Sequence, residues 1–255
     1  MNYNYLNWLD DLMKQNMLLS QIIMRINLIK KLALSLWIAF VLSIFFPIRI
    51  YCQTQTNTPV KQIAPNLFEI GIVRLDSKTR TITIPTTVNM NEGQIEYLLV
   101  STAGKLHESL LKTKAEPYHI QVAMLLLNAK PTPPHLYYKN MDKTIPGEPV
   151  SIQLKWKNGE TEKTSPAEDF VFNIVKKEPL KNGDWIYNGS RIIEGTFIAQ
   201  RDRSIIAIKS DIDAIFNNPI SCKENENDWI VDTNFPMKVN TPVDLIIKLK
   251  SNDKK

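Results

Sequence analysis

From Leu67 to Lys250 the chain is made of short runs in which apolar and polar residues alternate, divided by turn residues. This spacing constrains the fold more than any other feature. Alternation puts every second side chain on one face of a pleated strand. Runs this close together leave no room for the helical crossovers of βαβ units, which argues against a Rossmann-type sheet. Leu67–Leu75 and Thr79–Val88 read as strands with a turn at Asp76-Ser77-Lys78, and Gln94–Thr102 follows as another. Lys105–Lys112 reads as a further strand beyond Ala103-Gly104. Ile152, Leu154 and Trp156 alternate ahead of Asn158-Gly159, which predicts a hairpin with a type I′ turn returning through Glu160–Thr164. Trp185–Tyr187, Thr196–Gln200, Ser204–Lys209, Trp229–Asp232 and Thr241–Lys250 complete the strand-like runs.

Helical signals are few. Pro117 suits a first turn, and Tyr118–Ala129 is apolar nearly all round, which predicts a buried helix rather than an amphipathic one. Ser165-Pro166-Ala167-Glu168 predicts a second helix start, and Asp211–Phe216 a short helix stopped by Asn217-Asn218-Pro219. Five prolines between 131 and 149 predict a long irregular loop. The expected class is β-rich α+β: a single domain of about ten short strands, one buried helix and one or two short helices, following an N-terminal hydrophobic segment.

That segment runs from Leu32 to Ile48 without a charge, after Arg25, Lys30 and Lys31. At 1.5 Å per residue it reaches about 25 Å, slightly short of a bilayer core of about 30 Å. A basic stretch ahead of such a run is the pattern of a signal peptide, or of an anchor if it is not cut. The expected division is a basic region 1–31 with Met24 as an alternative start, the hydrophobic run 32–48, a linker 49–65, a globular domain 66–250 and a polar tail 251–255. The domain is expected outside the cytoplasm, because positive charge retains the N-terminus inside. Uncut, the run would tether the protein to the membrane. Of the net charge of +5, residues 1–52 carry +3, so no basic patch is left to suggest a nucleic-acid partner. Cys52 and Cys222 are the two cysteines, too few to ligate an iron–sulfur cluster by themselves, and no cofactor is expected.

No Gly-rich phosphate loop, nucleophile elbow or HExxH helix occurs. One polar cluster stands out: Gly104-Lys105-Leu106-His107-Glu108-Ser109, then Glu116-Pro117-Tyr118-His119. On a strand, Lys105, His107 and Ser109 share one face and Glu108 takes the other. His119 falls in the first turn of the helix that follows. If strand and helix meet, Lys105, His107, Ser109 and His119 line one polar pocket. Such a pocket suits an anion, a metal held by His107 and His119 with a carboxylate, or a serine activated by histidine. The alternative is a set of structural polar groups that satisfy one another. Trp156, Trp185 and Trp229 read as core anchors, and Asn188-Gly189-Ser190 matches a glycosylation triplet of high chance frequency.

Ile95–Val100, the Gly104-Lys105-x-His107-Glu108-Ser109-Leu110-Leu111 stretch, and His119 leading into Ala123–Leu127 together resemble the YdjY-domain family of bacterial proteins. The resemblance runs on through Trp156, Pro166–Asp169, Trp185–Ser190, Gly195-x-Phe197-x-Ala199, Ser204–Ala207 and Asn218-Pro219. It implies an exported single-domain protein. It draws interest to His107, Glu108, Ser109, Asp169 and Ser190 but supplies no catalytic residues. Some members carry ferredoxin-type cysteine clusters beside the domain, a part missing here. The expected function is a non-catalytic extracytoplasmic binding or accessory domain with an unidentified protein partner or small ligand. The alternatives are a metal- or His-dependent hydrolase built on residues 105–119, and an accessory of an electron-transfer complex.

Overall fold

The computed structural model describes residues 60–137, 146–181, 183–219 and 225–250. The N-terminal hydrophobic run and both cysteines lie outside them. Among the described residues no helix is long and apolar enough to cross a membrane.

The first four strands form an antiparallel meander: β1 (Val60–Ala64), β2 (Leu67–Ile70), β3 (Val73–Asp76) and β4 (Thr81–Val88). The stretch expected as one strand, Leu67–Leu75, is two. Gly71 turns the chain at φ 59°, and a Cβ there would fall 2.2 Å from Nδ1 of His119, so only glycine fits. In β4, Ile82, Ile84, Thr86 and Val88 are buried and their neighbours are not, as alternation demands.

After β4 come β5 (Tyr97–Ser101), β6 (Ser109–Thr113), β7 (Glu148–Asn158) and β8 (Thr161–Pro166). β9 (Val171–Asn173), β10 (Glu178–Pro179), β11 (Trp185–Tyr187), β12 (Ile192–Ile193) and β13 (Thr196–Phe197) are shorter. β14 (Ser204–Ala207), β15 (Phe216–Asn217), β16 (Trp229–Val231) and β17 (Pro242–Leu249) complete the set. Eight of them close into a barrel in the order β4-β17-β7-β11-β15-β14-β5-β6, with β6 returning to β4 through Thr87↔Lys112 and Val88↔Leu111. The C-terminal strand β17 sits between β4 and β7 and pairs with each over seven residues. β9, β10 and β16 form a separate small sheet, and β12 and β13 a free hairpin. The core includes Trp185, Tyr187 and Phe216, with Trp156, Phe170 and Phe235 stacked edge to face beside it. All three expected tryptophan anchors are buried.

Two barrel pairings are parallel, β5 with β6 and β14 with β15, and neither has a crossover helix. Residues 102–108 carry the chain back along β5. Five strand residues rise roughly 16 Å, and seven connecting residues reach roughly 23 Å when extended, so the return is just possible. Residues 208–215 do the same between β14 and β15.

These crossovers correct two expectations. Lys105–Lys112 is not one strand: Leu106–Glu108 is a 3-10 turn and β6 begins at Ser109. The alternating faces assigned to Lys105, His107 and Ser109 therefore do not exist. Residues 211–215 are turns, not a helix. The count of about ten strands is low against seventeen among the described residues, because strands of two or three residues carry no visible period. The Asn158-Gly159 hairpin forms, but its loop is Gly159-Glu160 with positive φ at Gly159 alone, the II′ pattern rather than I′. The second helix start proves to be a 3-10 turn, Ala167–Phe170, entered from Pro166 without a side-chain cap.

The main helix, α1 (Pro117–Leu126), has Pro117 in its first turn as expected. It is not buried all round. Ile120, Ala123 and Met124 face the core, while Tyr118, Leu125 and Leu126 are exposed. A one-turn helix, α2 (Pro134–Tyr137), interrupts the proline-rich loop. α3 (Ile198–Asp202) replaces most of the expected strand at Thr196–Gln200.

Candidate functional site

The two short crossovers meet at one phenol. Lys105, on the first, donates from Nζ to Tyr97 Oη at 2.9 Å and lies 4.8 Å from the ring centroid. Tyr97 Oη donates at 2.8 Å to Oδ2 of Asp211, on the second. Asp211 also accepts from the Asp213 N–H, and its own N–H donates to Asn217 Oδ1. Burial pushes the Tyr97 phenol and the Asp211 carboxyl above their ordinary values; the Asp211 charge raises the phenol further, whereas the hydrogen bonds from the Asp213 N–H and the Tyr97 hydroxyl partly offset the rise at Asp211. For Lys105 burial pulls down, but the Tyr97 hydrogen bond and the Glu108 carboxylate outweigh it and raise the ammonium. The set is a mutually satisfied tie between the crossovers, with Tyr97 buried, Asp211 half-buried and Lys105 at the surface.

The structure divides the sequence-derived cluster. Lys105, His107 and Glu108 stay together on the 3-10 turn, with Glu108 Oε1 3.4 Å from Lys105 Nζ and Oε2 3.5 Å from His107 Nε2. The His107 side chain is 80% exposed there. Ser109 is fully buried and donates from Oγ to the Leu111 carbonyl at 2.8 Å. His119 packs on Gly71 at the β2–β3 turn. Burial holds the His119 imidazole below its ordinary value, against the opposing charge of Glu116. No hydrogen bond joins Ser109 to either histidine among the described residues. There, too, no group of three or more His, Cys, Asp and Glu side chains is placed to hold a metal ion. Asp169 is exposed on its 3-10 turn.

Asn188 is fully buried, and the triplet that resembled a glycosylation site is structural. Its Nδ2 donates to the Pro146 carbonyl at 3.0 Å and to Thr132 Oγ1 at 3.3 Å, and its Oδ1 accepts from Asn217 Nδ2 at 2.7 Å. This amide pins the proline-rich loop to the barrel. Gly189 follows at φ 80°, close against Pro131: a Cβ would meet the proline at 2.5 Å.

This close approach forms one wall of an open cleft of about 310 Å³. Tyr118, Gln121 and Leu125 of α1 line one side, and Arg191, Ile192 and Phe197 of the β12–β13 hairpin line the other. Pro131, Thr132, Gly189 and Ser190 form the remainder. Tyr118 and Phe197 meet edge to face at 6.5 Å. Glu116 secures the helix start, accepting from Gln200 Nε2 and, at 2.5 Å, from Arg203 Nη1; the Gln200 bond and then the arginine hold its carboxyl below the usual range. The sequence carried one signal of this cleft, unread as such: α1 has more apolar residues than a half-buried helix needs. The facing hairpin, two short strands around Glu194-Gly195, left no periodic trace.

A family model, the YdjY domain, matches residues 73–248. No curated protein and no solved structure matches the chain.

Proposed function

The chain belongs to the YdjY domain family, and we propose that it is a non-catalytic, extracytoplasmic binding domain whose site is the cleft between α1 and the β12–β13 hairpin. The observation that carries this reading is the cleft itself. It is apolar, concave and about 310 Å³ in volume, at the lower end of the range of roughly 300–1,000 Å³ for small-molecule sites. It also leaves Leu125 and Ile192 open to solvent, with Ile192 74% exposed. Of the polar side chains in the lining, Thr132, Ser190 and Arg191 are engaged in hydrogen bonds within the protein. The location outside the cytoplasm rests on the basic residues ahead of Leu32–Ile48.

The uncharged dye N-phenyl-1-naphthylamine should brighten on binding the full chain. The double variant Leu125→Asp, Ile192→Asp should lose that signal, and Lys105→Ala, His107→Ala and His119→Ala should keep it. An unchanged signal in the double variant, or none in the wild type, overturns the reading. A reporter enzyme fused after residue 65 should be active only outside the cytoplasm; cytoplasmic activity would refute the proposed location.

A further inference from the structure

We propose that the ligand of this cleft is uncharged, with an apolar body and a hydrogen-bond acceptor that seats on Nε2 of Gln121. The inference rests on reading the cleft as a binding site and adds the class of molecule it takes. It follows from the hydrogen bonds of the polar side chains on the wall. Thr132 Oγ1 donates to the Pro146 carbonyl and accepts from Asn188. Ser190 Oγ donates to the Asp213 carbonyl at 2.7 Å and accepts from the Ala199 N–H at 3.1 Å. Arg191 holds Asp213 Oδ1 through Nε at 2.8 Å and Nη2 at 2.5 Å, so the one charged residue in the lining is already neutralised. An ionic ligand would lose its hydration there without gaining a counter-charge.

Gln121 differs. Its Oε1 accepts from Tyr187 Oη at 3.0 Å, and Tyr187 is fully buried, so this bond orients the amide. The amide nitrogen is left on the cleft side beside Gly189, where a Cβ would approach it to 3.1 Å. Nε2 has no hydrogen-bond partner among the described residues. A ligand carbonyl or ether oxygen can take that donor while its apolar body displaces water from Tyr118, Leu125, Ile192 and Phe197.

The test compares α-tetralone with tetralin, which lacks only the carbonyl, and with the anionic 1,2,3,4-tetrahydro-1-naphthoate. Binding to the full chain is read by saturation-transfer NMR. The ketone should bind about three- to tenfold more tightly than the hydrocarbon, the range of one net hydrogen bond, and the carboxylate more weakly than the ketone. Gln121→Glu keeps an acceptor for Tyr187 but removes the donor, and should erase the ketone's advantage. Gln121→Leu in a Tyr187→Phe background removes both partners and should do the same without orphaning a buried hydroxyl. Equal binding of ketone and hydrocarbon to the wild type, with both lost in Leu125→Asp, Ile192→Asp, overturns the acceptor assignment alone. Tighter binding of the carboxylate overturns the uncharged class. Binding that survives the double variant overturns the cleft reading together with this inference.

Discussion

At the scale of single residues, the fold tolerates a half-buried acid, Asp211, and a buried one, Glu168, for different reasons. Asp211 is bonded to the Tyr97 hydroxyl and to a backbone N–H. Glu168, on the Ala167–Phe170 turn, has less support: Oε1 accepts from the Gly183 N–H at 3.4 Å, while Oε2 and the indole N–H of Trp185 are buried without a well-formed hydrogen bond among the described residues, the indole lying near enough only to lower the carboxyl slightly. Burial raises its carboxyl above the ordinary value of 4.5. A group whose folded value is raised binds more protons folded than unfolded, so stability falls as pH rises from 4.5 through the folded value. Glu168→Gln keeps the acceptor for Gly183 and removes the titration. Denaturant unfolding should show the variant gaining on the wild type as pH rises from 4.5 to 8, by of order 1 kcal/mol at the upper end. Asp211 has the same sign and is untouched, so part of the pH slope should remain. A variant that lost ground with rising pH would show that the Glu168 anion is stabilised in place.

At the scale of elements, α1 shows what hydrophobicity alone does not convey. Its composition announced burial, yet the packed side is limited to the Ile120, Ala123 and Met124 stripe. On the other side, Tyr118 and Leu125 line the cleft and Leu126 faces solvent. Met124→Ala should cost about 2–5 kcal/mol in thermal or denaturant unfolding, since it empties fully buried volume. Leu126→Ala, at a side chain 51% exposed, should cost no more than about 0.5 kcal/mol. Equal losses would mean that α1 is covered on both sides. The long strands were legible for the converse reason: β4, β7 and β17 each bury one face, and period two follows directly. The turn at Leu106–Glu108 was not, because His-Glu-Ser between apolar residues imitates a strand. What makes it a turn is a distant requirement, the need to run back beside β5.

At the scale of the whole molecule, the barrel is set by pairings that no local pattern encodes. Alternation identified Thr241–Lys250 as a strand, but nothing in it says that the last strand lies between the fourth and the seventh. Tyr97, Lys105 and Asp211 converge only because two parallel crossovers fold back to the same end of neighbouring strands. The dependence on β17 can be weighed. Val243, Leu245, Ile247 and Leu249 point into the core and are buried. At roughly 1.5–3 kcal/mol each, their burial contributes about 6–12 kcal/mol, comparable to the whole stability of a domain, about 5–15 kcal/mol. Removing the strand also opens the barrel and strips seven-residue ladders from β4 and β7, leaving two apolar edges that invite aggregation. A chain ending at Thr241 should therefore lack a cooperative unfolding transition, be digested rapidly by protease and associate through its exposed edges. A native-like melting curve from that truncated chain would show that the barrel closes without its C-terminal strand, and the pairing of β4 and β7 with β17 would then not be what holds the fold together.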